Sequence, residues 1–139
     1  MDPDLRRIKS YFEHLCPADL AGLHRIYTED AWFKDPFNEV QGLAGVRRIF
    51  EHMFAQLSAP RFQVRTAVRD GAEAFLTWEF SFQRGNGSPL VVRGASHLQL
   101  APDGRIARHR DYWDAAEELY AKLPLLGPLM RWLRRRLAA

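Results

Sequence analysis

The chain has 139 residues, of which 47% are hydrophobic and 12% aromatic, and its net charge is +3. This composition fits one compact domain with an apolar core, and it excludes the disordered, collagen-like and disulfide-built classes. Four arginines fall within residues 131–139, and without them the net charge is −1. The basic character therefore belongs to the C-terminal segment and gives no support to a nucleic-acid-binding surface. We expect one domain over 1–139, with 124–139 forming a C-terminal extension.

The N-terminal residues contain no apolar stretch typical of a secretion signal, and no apolar run of the chain is long enough to cross a bilayer. We therefore expect a cytoplasmic protein. The single cysteine, Cys16, can form no internal disulfide. Its position before a proline at a helix boundary favours a small buried filler residue over a nucleophile.

Helical patterns dominate the first part of the chain. Apolar residues at helical spacing predict one helix over residues 3–15 and a second over 18–27. Residues 32–35 are expected to be a short extended piece, because the residue before a proline avoids the helical conformation. The clearest amphipathic helix is predicted over residues 46–57.

The apolar period changes from helical to strand-like at Pro60. Phe62, Val64, Thr66 and Val68 alternate with polar residues and precede an Asp-Gly turn. Three further strands are predicted over 73–84, 90–101 and 106–113. Helices followed by an antiparallel meander indicate an α+β domain, with the helices on one face of a strongly curved sheet.

The last predicted strand carries the side chains that most suggest a pocket. A period of two places His109, Asp111 and Trp113 on one face and the intervening side chains, Arg108, Arg110 and Tyr112, on the other. A carboxylate beside a tryptophan on an inward face is typical of a ligand pocket. The alternative is that Asp111 only forms an ion pair with a neighbouring arginine.

The segment from Tyr27 to Phe37, with its Asp-Pro-Phe ending, and the closing Arg-Asp-Tyr-Trp-Asp segment of residues 110–114 resemble the nuclear transport factor 2-like superfamily. This superfamily includes ketosteroid isomerases, SnoaL-like polyketide cyclases and limonene epoxide hydrolase. The resemblance implies a cone-shaped, curved sheet wrapped around helices, an apolar cavity, and a homodimer packed through the sheet. The fold alone does not specify an activity, because it hosts many.

The resemblance to the isomerases also implies roles for individual residues. Asp35 falls on their proton-shuttling aspartate and Tyr11 on their oxyanion-hole tyrosine. Ser96 stands where they keep a protonated aspartic acid, and a hydroxyl is a weaker acid, which argues against steroid delta-isomerase activity. The alternatives are that Tyr11 packs in the core with its hydroxyl on any acceptor, and that Asp35 only stabilises a turn before proline.

The sequence thus yields the hypothesis of a small-molecule pocket protein, acting as an isomerase or cyclase on a small apolar carbonyl compound and needing no cofactor. Asp35 would move the proton, Tyr11 and Ser96 would hold the oxyanion, and Asp111 would be a second acid or hold water. The expected ligand-binding residues are Trp32, Phe54, Trp78, Phe80, Phe82, Leu98, His109 and Trp113.

Other activities have less support from the sequence. Epoxide hydrolysis is disfavoured because the strand over 73–84 lacks the Arg-x-Asp pattern of the hydrolase, and the five histidines do not cluster as metal ligands. A non-catalytic binding or assembly domain remains the main alternative. The C-terminal helix, with Leu129, Met130, Leu133 and Leu137 on one side, is expected to pack across the domain mouth or on a partner, more than on a membrane.

Overall fold

The computed structural model describes residues 1–83, 89–118, 132 and 134–139, and three α-helices, a 3-10 helix and six strands lie in its first two ranges. In chain order they are α1 (Pro3–Glu13), a 3-10 helix (Pro17–Arg25), β1 (Tyr27–Lys34), β2 (Glu39–Gln41), α2 (Leu43–Gln56), β3 (Ser58–Asp70), β4 (Glu73–Gln83), β5 (Leu90–Leu100), β6 (Ile106–Tyr112) and the short α3 (Ala115–Glu118). Residues 132 and 134–137 are also helical.

The first helix begins and packs as its sequence predicts. The Asp2 side chain accepts a hydrogen bond from the Leu5 amide at 3.0 Å, and Pro3 occupies the first helical turn. The cap supplies an acceptor to an amide that would otherwise be unpaired. One side of α1, carrying Leu5, Ile8 and Phe12, is buried against the sheet.

The second predicted helix ends earlier than its pattern suggests. The segment Pro17–Arg25 is a 3-10 helix, and the chain is already a strand at Tyr27. The prediction that Tyr27 lies in a helix is therefore wrong. Pairing with β6 outweighs the local propensity, since the Ile106 amide donates to the Ile26 carbonyl at 2.7 Å. Cys16, which caps the start of the 3-10 helix, is exposed, so the prediction that it is buried is also wrong.

The sheet has the strand order β2-β1-β6-β5-β4-β3. Strands β3 to β6 form the predicted antiparallel meander, and β1 adds to it by pairing parallel with β6. The α+β class with a curved sheet and helices is confirmed, but the sheet is mixed and not wholly antiparallel. Of the extended piece predicted over 32–35, residues 32–34 are the end of the longer strand β1, and Asp35 lies in the turn that follows.

A register shift between Val64 and Thr66 divides the face pattern of β3. Such a bulge bends a strand and reverses which side chains face inward. Phe62 and Val64 therefore face the helices, whereas Val68 lies on the outer face and is 54% exposed. The simple alternation predicted for this strand holds only before the bulge.

The core lies between the inner face of the sheet and the helices. Helix α1 packs mainly on β3, and α2 packs on β1 and on the 3-10 helix. The core is formed by apolar side chains from these helices and from the inner face, among them Ile8, Phe12, Val46, Phe50, Leu76, Leu98 and Ile106. Within the described residues, every helix is too short or too polar to cross a lipid bilayer.

Candidate active site

A cavity of about 110 Å³ opens between the helices and the inner face of the sheet. Its walls are mostly aromatic, with a small number of polar side chains. The lining residues are Phe12, Phe33, Asp35, Phe37, Ile49, Phe50, Met53, Phe62, Leu76, Trp78, Phe80, Phe82, Val92, Ser96, His109, Asp111, Trp113 and Leu137. An apolar pocket with few convergent polar groups is typical of a small-molecule site.

Strand β6 and the residue that follows it supply three lining residues at a spacing of two. His109, Asp111 and Trp113 all line the cavity, as the strand period predicts. The alternate side chains lie on the other face, where the Arg108 guanidinium stacks on Trp32 and that of Arg110 on Tyr112. These arginines do not pair with Asp111.

Asp111 accepts two short hydrogen bonds in the cavity wall. Its Oδ1 receives one from the Ser96 hydroxyl at 2.5 Å and one from His109 Nε2 at 2.6 Å. The chain continues at both ends, because the Trp78 indole donates to Ser96 Oγ at 2.8 Å and Tyr27 OH contacts His109 Nδ1 at 2.7 Å. Five side chains from β1, β4, β5 and β6 thus form one polar network.

The hydrogen bonds assign the protonation of His109. Burial raises the pKa of Tyr27 well above its ordinary value, so its hydroxyl keeps its proton and needs an acceptor. His109 Nδ1 is that acceptor, which places the imidazole proton on Nε2, where it is donated to Asp111. In this arrangement the imidazole accepts at Nδ1 from Tyr27 and donates at Nε2 to the Asp111 carboxyl.

The turn after β1 places a second carboxylate in the cavity. Asp35 Oδ1 accepts from the amides of Phe37 and Asn38 at 2.8 and 2.7 Å, and the residue also lines the cavity. Burial raises the pKa of Asp35, and the charge of Asp111 acts in the same direction, while the backbone hydrogen bonds oppose it. Asp35 thus both stabilises the turn and faces the cavity, so the two interpretations of this residue are compatible.

The C-terminal residues close one side of the cavity. Leu137 lines it, and the Asn38 side chain donates to the Leu137 carbonyl at 3.0 Å and accepts from the Ala139 amide at 2.6 Å. Leu129, Met130 and Leu133, which share the predicted apolar side, lie outside the described residues. The described end of the segment packs against the core through Trp132 and Leu137.

A family model described as a SnoaL-like domain matches residues 8–109, well over half of the chain. The chain belongs to the SnoaL-like domain family. This confirms the resemblance to the nuclear transport factor 2-like superfamily. No curated protein shows significant similarity to the sequence.

Solved structures share the fold of this SnoaL-like domain. A protein with a ketosteroid isomerase-like fold from Catenulispora acidiphila, in complex with trimethylamine, has a TM-score of 0.73 at 16% identity, with 89% of this chain and 95% of that chain covered. A candidate SnoaL-like polyketide cyclase from Shewanella putrefaciens has a TM-score of 0.70 at 17% identity, covering 88% and 99%. An epoxide hydrolase resembling limonene epoxide hydrolase, from M. tuberculosis, has a TM-score of 0.69 at 16% identity, covering 83% and 85%. Identities this low establish the fold and no activity.

Three of the four predicted catalytic residues of this SnoaL-like domain, Asp35, Ser96 and Asp111, line one cavity. Tyr11 does not line it. The Tyr11 hydroxyl donates to the Asp19 carbonyl at 2.9 Å, and burial raises its pKa to about 12. The structure therefore contradicts the placement of Tyr11 as an oxyanion donor in this cavity, because its proton is already bound elsewhere. The catalytic roles of the other three stay predictions.

Five of the eight predicted ligand-binding residues line the cavity: Trp78, Phe80, Phe82, His109 and Trp113. The other three do not. Trp32 lies on the outer side of β1, where its indole donates to Glu39 at 3.1 Å, and Phe54 lines a separate groove beside Pro60. Leu98 also faces inward, but it is fully buried in the core and does not line the cavity.

The sequence analysis did not identify two residues of the site. Tyr27 forms a hydrogen bond with His109, and Asn38 forms hydrogen bonds with the C-terminal residues. The apolar pattern of residues 18–27 predicts that Tyr27 is helical, and no sequence pattern links it to a histidine 82 positions later. The spacing of two between Phe33, near the end of β1, and Asp35, just after it, is a usable signal for a shared inward face, because both line the cavity. Among the described residues, no three His, Cys, Asp or Glu side chains lie close enough to hold a metal ion.

Proposed function

We propose that this SnoaL-like domain is an acid–base enzyme of the isomerase or cyclase kind, which moves a proton on a compact carbonyl compound without a cofactor. One observation carries the proposal: two carboxylates in different environments, Asp35 and Asp111, line the same aromatic cavity. Different environments are how an acid and a base are made from the same residue type.

Asp111 is the base in this proposal. The Ser96 hydroxyl and His109 Nε2 both donate to its Oδ1, and donors of this kind favour the ionised carboxylate. They leave the second carboxylate oxygen to receive a proton from the substrate. Tyr27 positions the imidazole by donating to Nδ1, so its part is orientation and not contact with substrate.

Asp35 is the acid. Its raised pKa makes it the carboxyl that holds a proton more readily, and it can donate that proton to the carbonyl oxygen as Asp111 removes one from carbon. Protonation of the oxygen replaces the oxyanion hole that Tyr11 was expected to provide. Ser96 supports Asp111 and is not a free oxyanion donor, because its own proton is directed at Asp111.

The size of the cavity argues for a small substrate. Ligand sites for drug-sized molecules enclose about 300 to 1,000 Å³, whereas this cavity is about 110 Å³. A steroid would not fit without displacement of Leu137 and its neighbours. The substrate we propose is therefore a compact carbonyl compound, in line with the argument against steroid isomerisation.

Hydrogen–deuterium exchange at carbon next to a carbonyl tests the proposal directly. Purified protein in deuterated buffer is incubated with a panel of small ketones and β,γ-unsaturated ketones, and deuterium uptake and isomerisation are followed by NMR. We expect wild-type protein to accelerate at least one of them, and Asp111→Asn to lower that rate by about two orders of magnitude or more, the usual contribution of a positioned base.

Asp70→Asn is the matched control, because it removes a carboxylate from an exposed position at the end of β3. Its rate should equal that of wild type. Exchange at the buffer rate with every substrate would contradict the proposal and favour the non-catalytic binding alternative. The epoxide hydrolase alternative has little support from the cavity, since the β4 lining residues Leu76, Trp78, Phe80 and Phe82 are all apolar.

A further inference from the structure

The cavity walls present aromatic rings from several elements at steep angles to one another. Phe62 of β3 lies edge to face with Trp78 of β4, with centroids 6.1 Å apart and planes at 84°. Phe37 meets Trp113 at 5.6 Å and 63°. Rings that converge from different directions can surround a compact group with π-faces, which attract positive charge.

The polar groups of the cavity also favour a cation. Two carboxyl side chains, Asp35 and Asp111, line the cavity, and the described lining residues include no lysine or arginine. Trp78 donates to Ser96 and Ser96 to Asp111, so neither of these two donors is directed at a ligand. An anionic ligand would lie beside the Asp111 carboxylate with no lysine or arginine among the described lining residues to balance its charge, at a high cost of desolvation.

We infer that the ligand of this cavity carries a compact alkylammonium group, which sits against the aromatic rings with Asp111 as its counter-ion. This inference names the substrate class of the enzyme proposed above and rests on that proposal for its catalytic meaning. The small volume of the cavity, about 110 Å³, fits a group of the size of trimethylammonium. In a carbonyl compound with this group next to its α-carbon, the ammonium and that carbon would both lie against Asp111, and the carbonyl oxygen would face Asp35.

Choline and dimethylbutanol form the probe pair that isolates the charge. Dimethylbutanol carries a tert-butyl group in place of the trimethylammonium group, so the two differ in charge and hardly in shape. Isothermal titration calorimetry of the full chain should show choline binding at least about tenfold more tightly than dimethylbutanol. Tetramethylammonium, a smaller cation, should compete with choline.

Asp111→Asn removes the counter-ion and keeps the shape of the side chain. We expect choline affinity in this variant to fall about tenfold, towards that of dimethylbutanol, while dimethylbutanol binding stays unchanged and reports that the cavity is intact. Asp70→Asn, exposed at the end of β3, should leave both affinities as they are in wild type.

Equal affinity for the two probes in wild type, or no binding of choline, would overturn the inference without recourse to any variant. So would choline binding that Asp111→Asn leaves unaltered. The outcome is separable from that of the exchange assay. Charge-selective binding without deuterium exchange would refute only the enzyme proposal, and exchange on neutral ketones without choline binding would refute only the cation.

Discussion

Gly94 lies directly against the indole of Trp78 on the neighbouring strand. A Cβ atom at this position would be 2.5 Å from Trp78 Cη2, well inside van der Waals contact. The absent side chain therefore lets the indole lie flat on β5 and reach Ser96. Glycine is required here because the Trp78 indole lies so close to the backbone, and not because the backbone conformation is unusual.

We expect Gly94→Ala to displace the indole and weaken its hydrogen bond to Ser96. The overpacking should lower the free energy of unfolding by about 1 to 3 kcal/mol, measured by urea denaturation. Gly22→Ala is the control, since the nearest atom to its Cβ would be Arg25 Nη1 at an ordinary 3.6 Å. Equal stability of the two variants would contradict the packing argument.

Among the described residues, the Tyr27 hydroxyl is the one group that donates a hydrogen bond to His109 Nδ1. Tyr27→Phe leaves this buried nitrogen unpaired, which should cost about 1 to 3 kcal/mol in the free energy of unfolding. Nitrogen NMR of the imidazole should also show a mixture of tautomers in place of one. Tyr112→Phe, on the outer face and 50% exposed, should change neither quantity. A single unchanged tautomer in Tyr27→Phe would refute the assignment.

At the scale of elements, the turn after β1 and the C-terminal end are joined by one side chain. Asn38 binds the Leu137 carbonyl and the Ala139 amide, so Asn38→Ala should release the last residues from the cavity. Two lost hydrogen bonds predict amide exchange at the C-terminus about tenfold faster or more, measured by NMR. Gln56→Ala, which loses only a surface contact to Arg136, is the control and should exchange as wild type does.

Strand period explains which parts of the site the sequence can predict. The alternation over 106–113 is enough to place His109, Asp111 and Trp113 on one face, because a half-buried strand leaves no other register. Tyr27 and Leu98 show what the strand period does not predict. A helical pattern and a strand pattern overlap near Tyr27, and inward direction alone does not separate a core residue such as Leu98 from a cavity residue.

Elements set by long-range pairing are less predictable than those set by local pattern. The parallel addition of β1 to β6 joins Tyr27 to Ile106, and nothing in either segment specifies that partner. The bulge after Val64 likewise leaves no mark in the residue pattern. The α+β class, by contrast, follows from local patterns alone, since helices precede strands along the chain.

For the whole molecule, Asp35 should make stability depend on pH. A carboxyl whose folded-state pKa is raised stabilises the fold below its unfolded pKa, and this contribution is lost as the pH rises through the folded pKa. Asp35→Asn cannot ionise, so it should gain stability relative to wild type as the pH rises above about 4, the ordinary pKa of an aspartate. Urea denaturation across this range measures the difference.

Asp2 and Asp4 provide the internal comparison for this titration. Their pKa values are lowered, by the Leu5 amide at Asp2 and by Arg7 and Arg69 at Asp4, so they should destabilise both proteins equally on acidification. Any difference between the two curves then belongs to Asp35. Parallel curves for wild type and Asp35→Asn would show that the cavity does not perturb this carboxyl.

The outer face of the sheet carries the surface that we propose for a homodimer. Val68 pairs with Phe75, which stacks on His97 at 4.5 Å, and both apolar side chains are about half exposed. A charge at this position should oppose self-association, so Phe75→Glu should be monomeric in sedimentation equilibrium where wild type is dimeric. Thr77→Glu places the same charge further along β4 on the same face. It should leave the dimer intact, because the proposed interface is confined to Val68 and Phe75. Identical masses for wild type and Phe75→Glu would argue against this interface.

Strand β6 has a further consequence, for the order in which the molecule assembles. It is the strand that joins the β1–β2 pair to the β3–β4–β5 meander, and it comes last among the strands in the chain. Without β6 the β1–β2 pair has no hydrogen-bonded neighbour in the β3–β4–β5 meander, and joining them requires contacts of long sequence separation, which slow folding. His109 and Asp111 lie on this same strand. These two cavity residues therefore reach their positions only when β6 makes the sheet continuous.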